Sequence, residues 1–355
     1  MTDSAPAVAT AAKRPSKARL VVMIVLGLAV MVGIFALLLP QASSYEEALE
    51  ELKDFPAGWL VALVAAGVLN IGLYPLTVLV AVPGLGYWHG FVERQGGFVV
   101  SNVVPGGGAI AVGTQYGILA RYGVGPSLAA AAVSADAIWT YLLTLGSPAV
   151  AVLLLVIEGR SAAAYTTTAV VGMLIVIVSV VAIAAILRSD GGARWVGRFA
   201  ERLVAPVLRR LHRHVPDLPE ALVAFRLRAH DLVAARWPAL TVTNAVAQLT
   251  PFLVLVCALA GLGAIPDQVS LIETFAAYSI ALILTSFPIT PGGLGTVDAA
   301  LVGLLSAFGA PGSVAVAADL VWRLVWFLPQ LLVGAVALGV YALERRRHPQ
   351  PASSP

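Results

Sequence analysis

Ser101-Asn102-Val103-Val104-Pro105-Gly106-Gly107-Gly108 and Pro291-Gly292-Gly293-Leu294-Gly295-Thr296-Val297-Asp298 each set a Pro-Gly-Gly break in the middle of an apolar stretch. Proline removes a backbone donor and glycine frees the backbone, so a helix ends there. Facing lipid, the freed peptide groups have no partner. Such a break is tolerated at membrane depth only where protein or a water-filled cavity supplies hydrogen bonds.

Around the two breaks the chain repeats itself. Tyr74-Pro75-Leu76-Thr77-Val78-Leu79-Val80 is echoed by Thr250-Pro251-Phe252-Leu253-Val254-Leu255-Val256, and Gly84-Leu85-Gly86 by Gly261-Leu262-Gly263. Ala135-Asp136-Ala137-Ile138-Trp139 returns as Ala318-Asp319-Leu320-Val321-Trp322. The order is kept and only connecting lengths drift, as expected of two diverged copies of one unit. The copies cover about residues 58–157 and 237–342.

Composition excludes a soluble domain: 59% of residues are hydrophobic and 12% charged, with a mean hydropathy of +0.90. An ordinary globular chain carries about 25% charged residues. The lone cysteine, Cys257, lies in an apolar run, which excludes an intrachain disulfide and a thiolate metal site and suits a small core residue.

Six apolar runs are long enough to cross a bilayer as helices, which takes about 20 residues. They are 20–39, 58–82, 127–157, 165–187, 237–260 and 314–341. Two more, 98–122 and 272–308, carry the breaks. Charge decides whether these cross or turn back. Lys13, Arg14, Lys17 and Arg19 put the amino-terminal arm in the cytoplasm. The segment 188–236 holds ten arginines against five acids, so it also belongs inside. That holds only if 98–122 is a re-entrant hairpin. The same reading of 272–308 brings Arg345, Arg346 and Arg347 to the cytoplasm. The expected fold is all-α: a polytopic membrane protein with six full spans, two re-entrant Pro-Gly-Gly hairpins and an inverted two-fold repeat. It comprises a tail over 1–19, one membrane domain over 20–343 with the basic linker 188–236, and a tail over 344–355.

The breaks suggest a binding site. Half-helices starting at about Ala109 and Thr296 would aim positive dipole ends and open amides at whatever sits in the turn, which favours an anion such as a phosphate. Asn102, Pro105, Gly106, Gly107, Gly108, Pro291, Gly292, Gly293, Gly295 and Asp298 are the candidate headgroup residues. Asp298 has a cheaper reading as the acid that caps its half-helix. Asp136 and Asp319, deep in long spans, need a partner or a proton. Arg323, four residues after Asp319, is placed to neutralise it. Asp136 has Thr140 at that spacing, which leaves Arg121 as a distant candidate. Structural ion pairing and substrate or proton handling are evenly matched for these groups. Asn70, Asn244 and Gln248 read as interhelical hydrogen-bonding groups.

In the linker, Arg194, Arg198 and Arg202 alternate with Trp195, Phe199 and Leu203, the pattern of a helix lying on an anionic inner leaflet. A solvated basic loop is an equal alternative. Pro206 is expected to break this helix, with a second short helix ending near Arg236. The arginines abut spans and form no nucleic-acid motif.

The two quoted signatures resemble those of the lysylphosphatidylglycerol synthase transmembrane family, the flippase-type domain that also occurs alone. Asp298 stands where relatives commonly have glutamate. The resemblance implies movement of an anionic phospholipid or related lipid carrier between leaflets of the inner (plasma) membrane. Membrane lipids are the expected partners, with a separate lipid-modifying enzyme as a candidate; no histidine-acid spacing or nucleotide-binding signature appears, so no metal and no cofactor is expected. The short segment after the last span implies transport rather than synthesis. A proton-coupled small-solute carrier is the alternative, with Asp136 and Asp319 titrating. A membrane-embedded enzyme fits less well, because no catalytic constellation is visible.

Overall fold

A computed structural model describes residues 47, 49–104, 107–158, 181, 185, 186, 188–210, 217–286 and 290–347. The expected spans 20–39 and, apart from three residues, 165–187 fall outside these, as do Pro105 and Gly106. The described residues are helical throughout and contain no strand.

α1 (Ala57–Leu73) is interrupted at Tyr74-Pro75 and resumes as α2 (Leu76–Ala81), together one apolar segment of 25 residues. α3 (Tyr87–Val103) and α4 (Gly107–Arg121) pack against each other as a helical hairpin. A Cβ at Gly107 would collide with the carbonyl oxygens of Val100 and Ser101, so only glycine lets α4 leave this close to the end of α3. α5 (Pro126–Ile157) follows.

α6 (Asp190–Arg210) lies against the start of α7 (Leu218–Gly261). α6 runs through Pro206, where the sequence predicts a break, and α7 runs through Pro238 and Pro251. The 44 residues of α7 extend about 66 Å at roughly 1.5 Å per residue. That is twice a hydrocarbon core of about 30 Å, so α7 joins the α6 contact to the apolar segment Ala235–Gly261 in one rod. The expected short helix and separate span are therefore one element. Proline removes a single ladder bond, and packing along both flanks holds the rest of the helix together. At Pro251 the Thr250 hydroxyl lies 3.4 Å from the freed Ala247 carbonyl.

A second helical hairpin follows. α8 (Leu271–Ile283) starts with a capping box in which Ser270 and Glu273 exchange side-chain and backbone bonds. It passes through the turns Leu284–Ser286 and Pro291–Gly293 into α9 (Thr296–Phe308), which packs back on α8. α10 (Gly312–Trp322) continues through a π-helical stretch, Arg323–Phe327, into α11 (Leu328–Arg347). Five segments among the described residues are long and apolar enough to cross a membrane: Ala57–Ala81, Pro126–Ile157, Ala235–Gly261, Pro291–Phe308 and Gly312–Arg345. The first hairpin begins at Tyr87, eleven residues before the apolar run that announced it, because Glu93, Arg94 and Gln95 are buried inside α3.

Contacts between the halves are reciprocal. α3 packs on α11 of the other copy, α8 packs on α5, and α1 packs on α7. The largest core joins Leu63 of α1 to Leu255, Cys257 and Leu259 of α7, Leu301 and Leu305 of α9, and Trp322. A second core packs Val78, Leu119 and Leu240 against Ala131, Ala132 and Ala135. The small side chains of α5 let helices approach closely, which is how association proceeds where lipid is as apolar as the interface.

Candidate functional site

Between the halves lies a cavity of about 280 Å³ with polar walls contributed by both copies. Arg94 and Asn102 come from α3, Thr140 and Thr144 from α5, Asn244 and Gln248 from α7, and Gln330 from α11. Ser101, Tyr141 and Thr285 line it and are exposed, so it opens to the exterior where α3 and α8 end. The two hairpins thus meet at its mouth.

The polar groups expected to bond between helices do so around this space. Asn70 Nδ2 donates to Gln330 Oε1 at 3.0 Å, and the Thr250 hydroxyl donates to Asn70 Oδ1 at 2.9 Å. Gln248 Nε2 donates to Thr144 Oγ1 at 2.8 Å, and Tyr278 Oη donates to the Gln248 carbonyl at 2.7 Å. Asn102 bonds its own helix, at the Phe98 carbonyl. Gln330 Nε2, Ser286 Oγ and Arg94 Nε are buried with no hydrogen-bond partner among the described residues. All three belong to residues that line the cavity. Buried donors in this condition can receive an acceptor from a guest.

Sequence reasoning missed Arg94, although Asp136 demanded a cation. Arg94 Nη1 donates to Asp136 Oδ2 at 2.5 Å, and its guanidinium lies 4.3 Å from the centre of the Tyr74 ring. Arg121, the expected distant partner, ends α4 and donates instead to the Glu344 carbonyl at 3.0 Å. The signal was present in Glu93-Arg94-Gln95, a polar triplet between Phe91-Val92 and Gly96-Gly97-Phe98. Arg323 also has a different partner from the one its spacing suggested. Its Nε donates to Asp298 Oδ1 at 2.5 Å, its Nη1 reaches the Gly292 carbonyl at 3.3 Å, and Asp319 lies beside this pair with Oδ1 unpartnered among the described residues. An i,i+4 spacing brings Cβ atoms together, but the long arginine side chain reaches across to α9.

This geometry revises the second turn. Gly293 N–H donates to Thr290, Leu294 N–H to Pro291, and Gly295 N–H to Asp298 Oδ2 at 2.6 Å. The anion at the start of α9 is the protein's own carboxylate, and the Gly293 and Gly295 amides expected to face a headgroup bond within the turn. Gly292 and Gly293 have φ of 63° and 67°, and a Cβ on Gly292 would press into the Phe327 ring. Pro291, Gly292, Gly293 and Gly295 shape the turn and do not line the cavity. At the first turn Gly107 is buried and Gly108 exposed.

On α6, Arg194 pairs with Glu220 of α7 at 3.0 Å, and Arg226 of α7 pairs with Asp190 at 2.5 Å. Ala193 and Gly197 face inward, whereas Trp195, Arg198, Phe199 and Arg202 are exposed and the two rings stack. Arg198 and Arg202 border a surface hollow with Glu201, Ala205 and Pro206.

Residues 24–334 match the lysylphosphatidylglycerol synthase TM region. The chain belongs to that family. It is a multi-pass membrane protein, and the family places it in a lipid-related setting. It is also similar to a UPF0104 membrane protein of Methanocaldococcus jannaschii, 40% identical over 76 residues. That match takes in 21% of this chain and 23% of the archaeal protein's length.

Proposed function

We propose that this member of the lysylphosphatidylglycerol synthase TM family moves an anionic phospholipid or related lipid carrier between leaflets. The headgroup enters the cavity between the halves while the acyl chains stay outside in lipid. The observation that carries this is the set of unpartnered donors on Arg94, Ser286 and Gln330 around a mouth formed by the two hairpin limbs. A volume of about 280 Å³ falls just below that of drug-sized ligand pockets, roughly 300–1,000 Å³, which suits a headgroup and not a whole lipid.

The architecture proposed around it has six spans, two re-entrant hairpins, an inverted repeat and both termini in the cytoplasm. The reciprocal packing of α3 on α11 and α8 on α5 supports it, since a two-fold axis exchanges those pairs. Rocking of one copy against the other would then open the cavity to each leaflet in turn. Asn102 lines the headgroup space, Asp298 and Arg323 lock the second hairpin, and the Trp195, Phe199, Arg198 and Arg202 face of α6 rests on anionic headgroups.

The test is reconstitution in liposomes with labelled anionic lipid. Ala247→Trp fills the cavity wall and is expected to slow lipid movement more than tenfold, while Val64→Trp, on an exposed apolar face, leaves it unchanged. Equal rates in the two variants, both folded, would reject the cavity as the route. Proton-driven uptake of a small solute without lipid movement would favour the carrier reading, which the buried acids keep in view.

A further inference from the structure

Each half of the molecule buries two carboxylates against one guanidinium. In the first, Glu93 and Arg94 are 1% and 7% exposed, and the Asp136 side chain is 14% exposed. Arg94 is bonded to Asp136, and Glu93 Oε2 has no partner among the described residues. In the second, Arg323 and Asp319 are 4% and 7% exposed, and the Asp298 side chain is 12% exposed. Arg323 is bonded to Asp298, and Asp319 Oδ1 has no partner among the described residues.

The surroundings do not correct this imbalance. Glu93 is faced by Arg94 from its own helix, Asp136 from α5, Tyr74 from the α1–α2 junction and the neutral amide of Gln115 from α4. α2, the turn Pro291–Gly293 and the stretch of α11 over 328–341 also pack around α3 and carry no charge. Asp319 is faced by Asp298 from α9 and Arg323 from the π-helical stretch. The apolar part of α7 against α10 has no charged residue after Arg236. Fully ionised, each cluster would bury one uncompensated negative charge, which a dry interior does not tolerate.

We propose that each half binds one exchangeable proton, on Glu93 in the first and shared between Asp298 and Asp319 in the second. The proton comes from water; it converts one carboxylate of each cluster to a neutral acid, whose O–H becomes a donor, and leaves the cluster with one ion pair and no net charge. The sites are built alike but with the partners exchanged. In the first half the arginine lies on the hairpin and its bonded acid on the following helix, and in the second the acid lies on the hairpin. One such site in each half would let a proton gradient bear on the rocking of the two halves, whatever lipid is carried.

Infrared spectroscopy of the purified full chain in an ester-free detergent at neutral pH reads the sites directly, through the carbonyl stretch of protonated carboxylic acids. Wild type is expected to show this band. Glu93→Gln and Asp319→Asn each remove about half of its intensity, and the double variant removes all of it. Both substitutions keep side-chain shape and size and remove the ionisable carboxyl proton, and Glu93→Asp should restore the band. Absence of the band in wild type, or a band indifferent to both substitutions, would overturn the proposal. A band that appears only when sodium or potassium is removed would also overturn it, assigning the sites to a metal cation. The readout involves no transport, so its failure is distinct from failure of the lipid-transport reading.

Discussion

Arg94→Met tests whether the first-half cluster sits in a low-dielectric interior. The substitution keeps an unbranched apolar stem of similar length and removes the partner of Asp136. Breaking a buried ion pair from one side costs about 3–5 kcal/mol, because the remaining charge stays buried. Loss of the contact with the Tyr74 ring, 4.3 Å from the guanidinium, adds about 0.5–2 kcal/mol. The total, roughly 3.5–7 kcal/mol, corresponds to a lowering of the melting temperature by about 7–28 °C at about 2–4 °C per kcal/mol. The second arm is Arg94→Met with Asp136→Leu. Replacing both members of a buried pair with apolar groups is about neutral, or stabilising by about 1–4 kcal/mol, so the double variant should melt within a few degrees of wild type. Thermal unfolding of the detergent-solubilised full chain, followed by intrinsic fluorescence, measures both. A single variant that melts like wild type, or a double variant no better than the single, would refute the reasoning.

Asn70→Ala removes an acceptor from Thr250 and a donor to Gln330, both inside the helix packing; a loss of about 2–4 kcal/mol is expected from two stranded polar groups, and a melting point unchanged within error would count against the network. Gly292→Ala forces a side chain to φ 63°, costing about 1–2 kcal/mol, and drives its Cβ into Phe327; folded yield should fall, and a well-folded variant with wild-type lipid movement would show that the turn is not constrained. Cys257, 6% exposed in the core, should resist maleimide in the folded protein. Reporter substitutions Glu201→Cys and Arg345→Cys should then label from one face of the membrane, and labelling from opposite faces would end the re-entrant topology. Arg198→Glu with Arg202→Glu should slow lipid movement in anionic vesicles several-fold and much less in neutral ones; equal effects in both would detach α6 from headgroup contact.

Much of the architecture is written locally. Two Pro-Gly-Gly breaks in apolar runs announce helical hairpins, because a backbone break in an apolar environment is costly enough to leave a clear signature. The apolar runs over 58–82, 127–157, 237–260 and 314–341 follow from length and hydropathy, and the helical segments apolar enough to cross a membrane begin and end within a few residues of those limits. Asn70 and Gln248 at membrane depth announce interhelical bonding, since a lone amide in lipid has no other partner. Proline was a poorer guide: Pro206 and Pro238 remain inside helices because flanking packing outweighs one lost ladder bond.

Only the tertiary structure decided which charges meet. Asp136 lies 42 residues from Arg94, and Arg323 passes over the acid one turn away to reach Asp298, 25 residues off. Sequence fixes the need for a counter-charge but not its source, because electrostatic pairing depends on which helices pack together and on how far a long side chain reaches. The burial of Glu93 follows from the same cause. A polar triplet looks like a segment boundary along the chain, and becomes the centre of a cluster once α4, α5 and α11 close around it.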